Sequence, residues 1–461
     1  MQNKLFRGIT IVLFANIINM VFGILNSLIL PKYLSIPSYA AIKEYQLYLS
    51  YVGILHFGYN DAMYLRYGGK RINEINKNEV VCSLSTIRIY ILIISLVGLT
   101  VSFIIDNRIL LCVSAVTAPT IMLSYYQFLY QASGEFKKYG RLLNIISVGT
   151  FFINAFLIFA VHTDSYFVFL ITYVALSMFT CLLVECSFGK MINKNLAILY
   201  FRFSDLFEGM RNGVLLTLGN FSSTLMTTMD RWFVNILMST SAFAQYSFAV
   251  SMENFLNVLI SPITVTLYNY FCKNKEQNKI DRLRKLVIIF ASIIIAVAYP
   301  ARFILEVYLD KYIESGDVIV LLFASQLFYV VIKGIYVNLY KSRGQLKKYF
   351  NDLVLVIVFG FVANCLFYLI MNKKEGFAIA TLVSSAFWMA LCIHRNKDCS
   401  INEILYISTL LGVFIITGLS LNAIVGLIVY GISVLICLLL FLRESFNDIK
   451  AYCVGFVKGK L

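Results

Sequence analysis

The chain contains a series of apolar stretches, each about as long as a membrane-spanning helix. A helix needs about 20 apolar residues to cross the hydrocarbon core of a bilayer, and the first stretch, residues 9–30, already has this length. Hydrophobic residues make up 60% of the 461 residues, and only 14% are charged. Soluble globular domains carry about 25% charged residues. The sequence therefore predicts a membrane protein with many spans.

Fourteen segments have the length and apolar character of a span, and twelve is the alternative count. Unbroken apolar runs without alternation favour helices over barrel strands, because a helix satisfies its own backbone hydrogen bonds in lipid. We thus expect an all-α polytopic membrane protein with about 14 transmembrane helices. The predicted spans are 9–30, 39–58, 86–105, 109–131, 142–161, 166–186, 213–237, 242–271, 286–308, 317–340, 352–371, 376–394, 404–422 and 424–442.

Positive charge alternates between the gaps that separate these spans. Most of the 39 Lys and Arg residues fall in every second gap, beginning with the gap that holds Lys4 and Arg7. Because loops rich in Lys and Arg stay in the cytoplasm, both termini are predicted to be cytoplasmic. The net charge of +15 is divided among loops at the membrane edge. This distribution indicates contact with a lipid bilayer and disfavours a nucleic-acid partner.

Cysteine and histidine give no sign of a cofactor. The ten cysteines lie in predicted spans or on the cytoplasmic side, where structural disulfides are not expected. The sequence has three histidines and no C-x-x-C pair, so neither a metal site nor another cofactor is predicted.

One phrase occurs twice in the chain. YQASGEFKKYG, residues 130–140, and YKSRGQLKKYF, residues 340–350, share two tyrosines, a glycine and a pair of lysines at equal spacing. Asn154 and Asn364 recur at the same offset. The copies follow predicted spans four and ten, which have the same orientation, so the sequence predicts two parallel six-helix repeats. In each copy the glycine is expected to end a helix, and the lysines and tyrosines to lie at the membrane interface.

The repeat predicts a division into four parts. Residues 1–186 form an N-lobe with spans one to six, and residues 209–395 form a C-lobe with spans seven to twelve. Residues 396–461 add spans thirteen and fourteen and a cytoplasmic tail. The cytoplasmic linker 187–208 joins the lobes. The sequence LAILYFRFSDLFEGM, which begins in this linker, has the pattern of an amphipathic helix on the membrane surface.

Four stretches carry a family resemblance. They are HFGYNDAMYLRYGGK, with Gly58, Ala62 and Arg66; QASGEFKKY; residues 220–252, with Asp230, Arg231, Tyr246, Ser247 and Ala249; and RGQLKKYF. In their order and spacing they resemble the polysaccharide flippase family of the multidrug/oligosaccharidyl-lipid/polysaccharide (MOP) superfamily. The likeness covers residues 1 to about 395, and spans thirteen and fourteen occur in only some members.

The resemblance implies a transporter and not an enzyme. Its substrate would be a lipid-linked, undecaprenyl-diphosphate oligosaccharide, moved from the inner to the outer leaflet of a bacterial cytoplasmic (inner) membrane for O-antigen (lipopolysaccharide) or capsule synthesis. The polymerase and chain-length proteins of the same pathway would be partners. The chemistry of the substrate also requires a transporter, since burying one glycan hydroxyl in hydrocarbon without a hydrogen-bond partner costs free energy on the order of 2–7 kcal/mol. The glycan therefore needs a polar path across the membrane.

Eight ionisable residues of the predicted spans are candidates for functional charges, because a charge at membrane depth costs roughly 2.5–3.5 kcal/mol and so needs a reason. Asp230 and Arg231 point about 100° apart on a helix, so each is expected to find a partner on another helix or to line a cavity. Lys333 has no acidic residue within four positions. Three roles are open for it: to extend its ammonium to the membrane surface, to pair with Glu253 or to contact the diphosphate. The eight are Lys43, Glu44, Asp230, Arg231, Glu253, Arg302, Glu306 and Lys333.

The predicted site combines cations for the substrate with carboxylates for ion coupling. Asp230 and Glu253 are the candidates for coupling an alternating-access cycle to protons or sodium. Arg302 and Glu306, spaced i and i+4, also fit a structural pair, and Lys43 fits an interfacial anchor equally well. The candidate substrate-binding residues are Arg231, Lys333, Lys43, Arg302 and Arg66.

Two other functions stay open. A MATE-like multidrug exporter of the same superfamily would be expected to present acidic residues to cationic drugs. A membrane polysaccharide polymerase or ligase would be expected to carry a large outer loop, whereas every predicted outer gap has about ten residues or fewer. No Walker, H-E-x-x-H or G-x-S-x-G motif is present, which also disfavours an enzyme.

Overall fold

The computed structural model describes residues 2–68, 70–72, 74–193, 196, 200–273, 276–396, 398–443 and 446, and within these residues the regular secondary structure is entirely helical. Each of the fourteen predicted spans coincides with one helix or with a run of consecutive helices. Eleven of the described helical segments are long and apolar enough to cross a membrane. The predicted all-α fold class is confirmed.

The chain forms two compact units, Met1–Thr228 and Met229–Leu461. Helices α2 and α3 of the first unit are joined by a 3-10 turn, Gly53–His56. The last helix, α8, passes from the first unit into the second. The helices are α1 Gln2–Tyr33, α2 Ile36–Val52, α3 Tyr59–Tyr67, α4 Lys77–Ile104, α5 Arg108–Ala132, α6 Phe136–Phe159, α7 Tyr166–Ile192 and α8 Phe203–Leu237.

The second unit continues with ten helices among the described residues. Three short irregular turns interrupt them: 3-10 turns at Ile295–Val297 and Asp310–Ser315, and a π turn at Ile332–Tyr336. The helices are α9 Thr240–Asn254, α10 Leu256–Lys273, α11 Gln277–Ile294, α12 Ala298–Tyr308, α13 Gly316–Val331, α14 Val337–Ser342, α15 Leu346–Met371, α16 Lys374–Asn396, α17 Ile401–Ser420 and α18 Ala423–Phe441.

Each unit is organised around one central helix. In the first unit α5 packs against α2, α3, α4, α6 and α7. In the second unit α13 packs against α9, α11, α12, α16 and α17, and every residue from Val318 to Val331 is buried. A helix that is apolar on all sides requires such a position. These two helices belong to predicted spans four and ten, the spans that end in the repeated phrase.

The two copies of the repeated phrase form the same turn. The N–H of Glu135 donates to the carbonyl of Tyr130 at 2.8 Å, and the N–H of Gln345 donates to that of Tyr340 at 2.8 Å. Between them Gly134 and Gly344 adopt positive φ angles of 74° and 69°. This is the Schellman arrangement, in which a left-handed glycine ends the helix. The predicted role of both glycines is confirmed.

The described residues of the predicted surface helix do not form a separate helix. Helix α8 begins at Phe203, with Asp205 in its first turn, and continues without interruption to Leu237. An acidic residue in the first turn stabilises a helix start, and no proline follows within α8 to end the helix. Residues 203–210 are thus the first turns of span seven. Residues 194, 195 and 197–199 of the predicted linker and surface helix lie outside the described residues.

Candidate functional site

The carboxylate of Asp230 is buried in the second unit and is held by hydroxyl groups from two other helices. The Tyr246 hydroxyl on α9 donates to Asp230 Oδ2 at 2.6 Å, and the Thr381 hydroxyl on α16 donates to the same oxygen at 3.3 Å. The backbone N–H of Arg231 donates to Oδ1 at 2.8 Å. Hydrogen bonds to a charged acceptor are the strong kind. Asp230 therefore has partners on other helices, which is one of the two arrangements that its position beside Arg231 left open.

Glu253 lies beside an irregular turn between α9 and α10. The N–H of Phe255, between the two helices, bonds to the carbonyl of Met252, only three residues back, at 3.2 Å. The Gln326 side chain on the central helix α13 donates to Glu253 Oε1. Because Gln326 is almost fully buried, this bond fixes the carboxylate against the core of the unit.

Lys333 lies within the π turn that follows α13. This turn closes with a bond from the N–H of Val337 to the carbonyl of Ile332. Single π turns in helices often mark functional positions, because the extra residue changes the direction of the side chains. The ammonium of Lys333 lies 5.4 Å from the ring centroid of Tyr329, within the range of a cation–π contact.

These side chains form one electrostatic cluster, which we call the α8–α13 cluster: Asp230, Arg231, Glu253 and Lys333. Glu253 is close enough for its charge to interact with the other three groups. Within the described part of the chain, Lys333 has no carboxylate oxygen within 4 Å. The predicted direct pair with Glu253 is therefore a longer-range attraction. Two acids and two bases make the cluster neutral when all four are ionised.

The other predicted substrate contacts lie elsewhere in their units. In the second unit, Arg302 donates to the carbonyls of Gly418 and Leu421, the latter at 3.2 Å, and lies 4.0 Å from Glu306. This arrangement fits the structural role that its spacing with Glu306 also predicted. Because α17 ends at Ser420, the guanidinium occupies a favourable place at the negative end of a helix dipole.

Lys43 and Arg66 belong to the first unit. The ammonium of Lys43 donates to Gln46 Oε1 at 3.1 Å and lies 5.3 Å from the ring centroid of Tyr39. Arg66 is half-exposed and lies 3.0 Å from Glu79 and 3.7 Å from Glu208. Both cations therefore have partners within their own unit.

The structure also shows a buried ionic network that the sequence interpretation missed. Arg284 falls in the gap between predicted spans 242–271 and 286–308, but it lies inside α11 and is only 1% exposed. It donates to both oxygens of Glu403, at 2.8 and 3.2 Å. It also lies 2.9 Å from Asp398 and 2.8 Å from Asp281. Burial raises the pKa of the Asp398 carboxyl above its ordinary value. The i, i+3 spacing of Asp281 and Arg284 was the only sequence signal for this network.

A second missed group is buried in the first unit. Asp61 accepts a hydrogen bond from Thr217 on α8, and its Oδ2 lies 3.9 Å from His56 Nε2. The N–H of Gly58 donates to His56 Nδ1 at 3.0 Å, so neutral His56 carries its proton on Nε2, toward the carboxylate. Close packing holds this group together, because a Cβ at Gly213 would lie 1.9 Å from the Gly58 carbonyl oxygen.

Comparison with solved structures identifies the fold of the chain. No protein-family model and no curated protein matches the sequence. Among solved structures, the lipid II flippase MurJ in an inward closed conformation superimposes with a TM-score of 0.68 over 94% of this chain and 98% of that one, at 13% identity. The chain has the MurJ fold.

Two MATE transporter structures also match, at TM-scores below 0.5. The bent form of the Vibrio cholerae MATE transporter VcmN gives a TM-score of 0.46 at 15% identity over 88% of this chain and 98% of that one. A MATE structure with a bound Br-NRF molecule gives 0.40 at 12% identity over 87% and 93%. The match to MurJ confirms the all-α fold that the family resemblance implied. With this fold and its many apolar helices, the chain is a multi-pass membrane protein.

Proposed function

We propose that the chain is a flippase, and not an enzyme, that moves an undecaprenyl-diphosphate-linked oligosaccharide from the inner to the outer leaflet of a bacterial cytoplasmic membrane by alternating access. The product would serve O-antigen or capsule synthesis, with the polymerase and chain-length proteins of the pathway as partners. Both termini would be cytoplasmic. The MurJ fold supports a lipid-linked substrate, because the matched structure is that of a lipid II flippase.

The observation that carries the proposal is the position of Lys333. A half-buried ammonium lies in a π turn of predicted span ten, against an aromatic ring, with no carboxylate within 4 Å in the described part of the chain. A cation at membrane depth is costly unless it has a function or a strong partner. An ammonium that is not tied to one carboxylate is suited to bind a phosphate group as a point charge. Arg231, in the same cluster, would provide a second cation.

The carboxylates of the cluster supply a route to ion coupling. With Asp230 and Glu253 ionised, they balance the charges of Arg231 and Lys333. If each carboxylate takes up a proton or a sodium ion, the cluster becomes cationic and attracts a diphosphate more strongly. Release of the ions would then weaken the hold on the substrate. This cycle requires no cofactor other than the coupling ion.

The proposal is tested by deleting the gene and locating the lipid-linked glycans. If the chain is a flippase, repeat units accumulate on the inner leaflet and surface polysaccharide is lost. Outward-facing units that stay unjoined would indicate a polymerase or ligase instead. Unchanged glycans together with increased sensitivity to cationic drugs would indicate a multidrug exporter.

The site is tested by complementing the deletion with point variants. Lys333→Ala and Arg231→Ala should each abolish surface polysaccharide while the protein remains at its normal abundance in the membrane. Lys347→Ala is a matched control, because it removes an exposed lysine from the start of α15 and should leave transport intact. Full complementation by either cluster variant would remove that residue from the site.

A further inference from the structure

A groove lies between α1 and α6 in the first unit. Its volume is about 640 Å³, within the range of small-ligand sites. One part of its lining is apolar and includes Phe14, Ile18 and Val148, and the other part contains Lys137, Arg141 and Asn144. The groove therefore matches an amphiphilic ligand, which has one apolar part and one anionic part.

The two cations of the groove have no carboxylate within ion-pair distance among the described residues. Lys137 and Arg141 lie four residues apart on α6, which places their Cβ atoms roughly 6 Å from one another on one face. Among the described residues, neither forms an ion pair, whereas the neighbouring Lys138 lies 3.4 Å from Glu135. The repeated KKY phrase thus contains one lysine that is paired and one that lines the groove.

The groove also contains a buried hydrogen-bond acceptor. The side-chain carbonyl of Asn144 is buried without a hydrogen-bond partner among the described residues. Asn144 follows Arg141 by three residues, so it lies one turn deeper on the same helix face. A buried carbonyl without a donor is costly, and a ligand with a hydroxyl group beside its anionic group would satisfy it.

The apolar part of the groove extends along two helices that are long enough to span the membrane. The candidate spans are Phe14–Tyr33 on α1 and Phe136–Phe159 on α6. Lys137 and Arg141 lie at the start of the second span, where a lipid headgroup would be, and Phe14 is 64% exposed beside them. An acyl chain placed along Phe14 and Ile18 would have its headgroup next to the two cations.

We propose that this groove is a binding site for an anionic phospholipid of the phosphatidylglycerol type. The phosphate lies between Lys137 and Arg141, the glycerol hydroxyls donate to Asn144, and one acyl chain packs along the apolar wall. Phosphatidylcholine fits less well, because its headgroup carries a compensating positive charge and no hydroxyl donor. The groove shares no lining residue with the α8–α13 cluster, and its proposed ligand is not the transported substrate.

The test uses a fluorescent reporter inside the groove. The chain has two tryptophans, Trp232 and Trp388, which are replaced by Phe before Phe14→Trp is introduced. The full-length protein is reconstituted in nanodiscs of phosphatidylcholine, and brominated phosphatidylglycerol, which quenches tryptophan, is added in increasing proportion. Brominated phosphatidylcholine measures the non-selective contact of the reporter with lipid in each variant.

The proposal predicts selective quenching by phosphatidylglycerol. Each of Lys137→Gln and Arg141→Gln should weaken that selectivity about fivefold, the effect expected for one cation at a lipid surface, and the double variant should remove most of it. Lys138→Gln is the matched control and should retain it. Equal quenching by both lipids in the parent protein would overturn the proposal. So would displacement by an undecaprenyl-diphosphate lipid at far lower proportions than by unlabelled phosphatidylglycerol, which would assign the groove to the substrate.

Discussion

Replacement of Arg284 by methionine should strongly destabilise the second unit. Arg284 is 1% exposed and Glu403 is fully buried, and two hydrogen bonds of 2.8 and 3.2 Å join their side chains. Methionine fills a similar volume but leaves Glu403 and Asp398 as buried carboxylates without their cation. Removing one partner of a buried ion pair lowers the free energy of unfolding by about 3–5 kcal/mol. Because this change leaves two buried carboxylates without their cation, we expect a loss in the upper part of that range.

The partner variant Glu403→Gln should cost less. Its amide oxygen still accepts one bond from Arg284, and Asp398 and Asp281 remain at 2.9 and 2.8 Å to balance the guanidinium. The loss is then that of one charge-assisted hydrogen bond, about 1.5–3 kcal/mol. The double variant Arg284→Met/Glu403→Met should be less destabilised than the sum of its two single changes, because it removes both charges of the closest pair.

Tryptophan fluorescence gives a local assay for these effects. Both tryptophans, Trp232 and Trp388, lie in the second unit, so fluorescence during denaturant unfolding in detergent reports on the unit that contains Arg284. The order of stability should be parent, Glu403→Gln, Arg284→Met. If the free energy of unfolding of Arg284→Met lies within about 1 kcal/mol of the parent value, the buried network does not hold this unit together.

Two further predictions follow from packing and charge. Gly213→Ala should prevent the first unit from folding, because the new Cβ would lie 1.9 Å from the Gly58 carbonyl oxygen; Gly219→Ala in the same helix meets nothing within 4 Å and should be tolerated, as membrane expression levels would show. Asp398 has a raised pKa in the folded protein, so its contribution to stability is present at low pH and is lost as pH rises through that pKa. Above about pH 4, the unfolding temperature of Asp398→Asn should therefore fall less steeply with pH than that of the parent. A pH profile identical to that of the parent would show that the pKa of Asp398 is not raised.

The sequence predicts the fold well because the bilayer restricts the choices. Long apolar runs in lipid can only be helices or barrel strands, and the fourteen predicted segments correspond to the observed helices. The repeated phrase predicted the glycine ends of α5 and α14, since a Schellman turn depends on local residues: Gly134 and Gly344 adopt it in both units. Local chemistry of this kind is readable from a single chain.

The buried ionic groups were harder to predict because their partners are distant in sequence. Arg284 and Glu403 are separated by 119 positions, and a charge-rich stretch such as 273–285 has the appearance of a loop. Asp61 was overlooked for the same reason, since Thr217 lies 156 positions away. The π turn at Lys333 was not predicted either, because its extra residue leaves the apolar run of span ten unbroken in the sequence.

In the transport cycle that we propose, the α8–α13 cluster binds the diphosphate of a lipid-linked oligosaccharide. The direct measurement is flipping of a fluorescent undecaprenyl-diphosphate oligosaccharide by the purified protein in liposomes, compared between the parent, Lys333→Gln and Lys347→Gln. We expect the parent and Lys347→Gln to flip at equal rates and Lys333→Gln to be at least tenfold slower, which corresponds to about 1.4 kcal/mol. Equal rates for the parent and Lys333→Gln would show that Lys333 does not bind the diphosphate during transport.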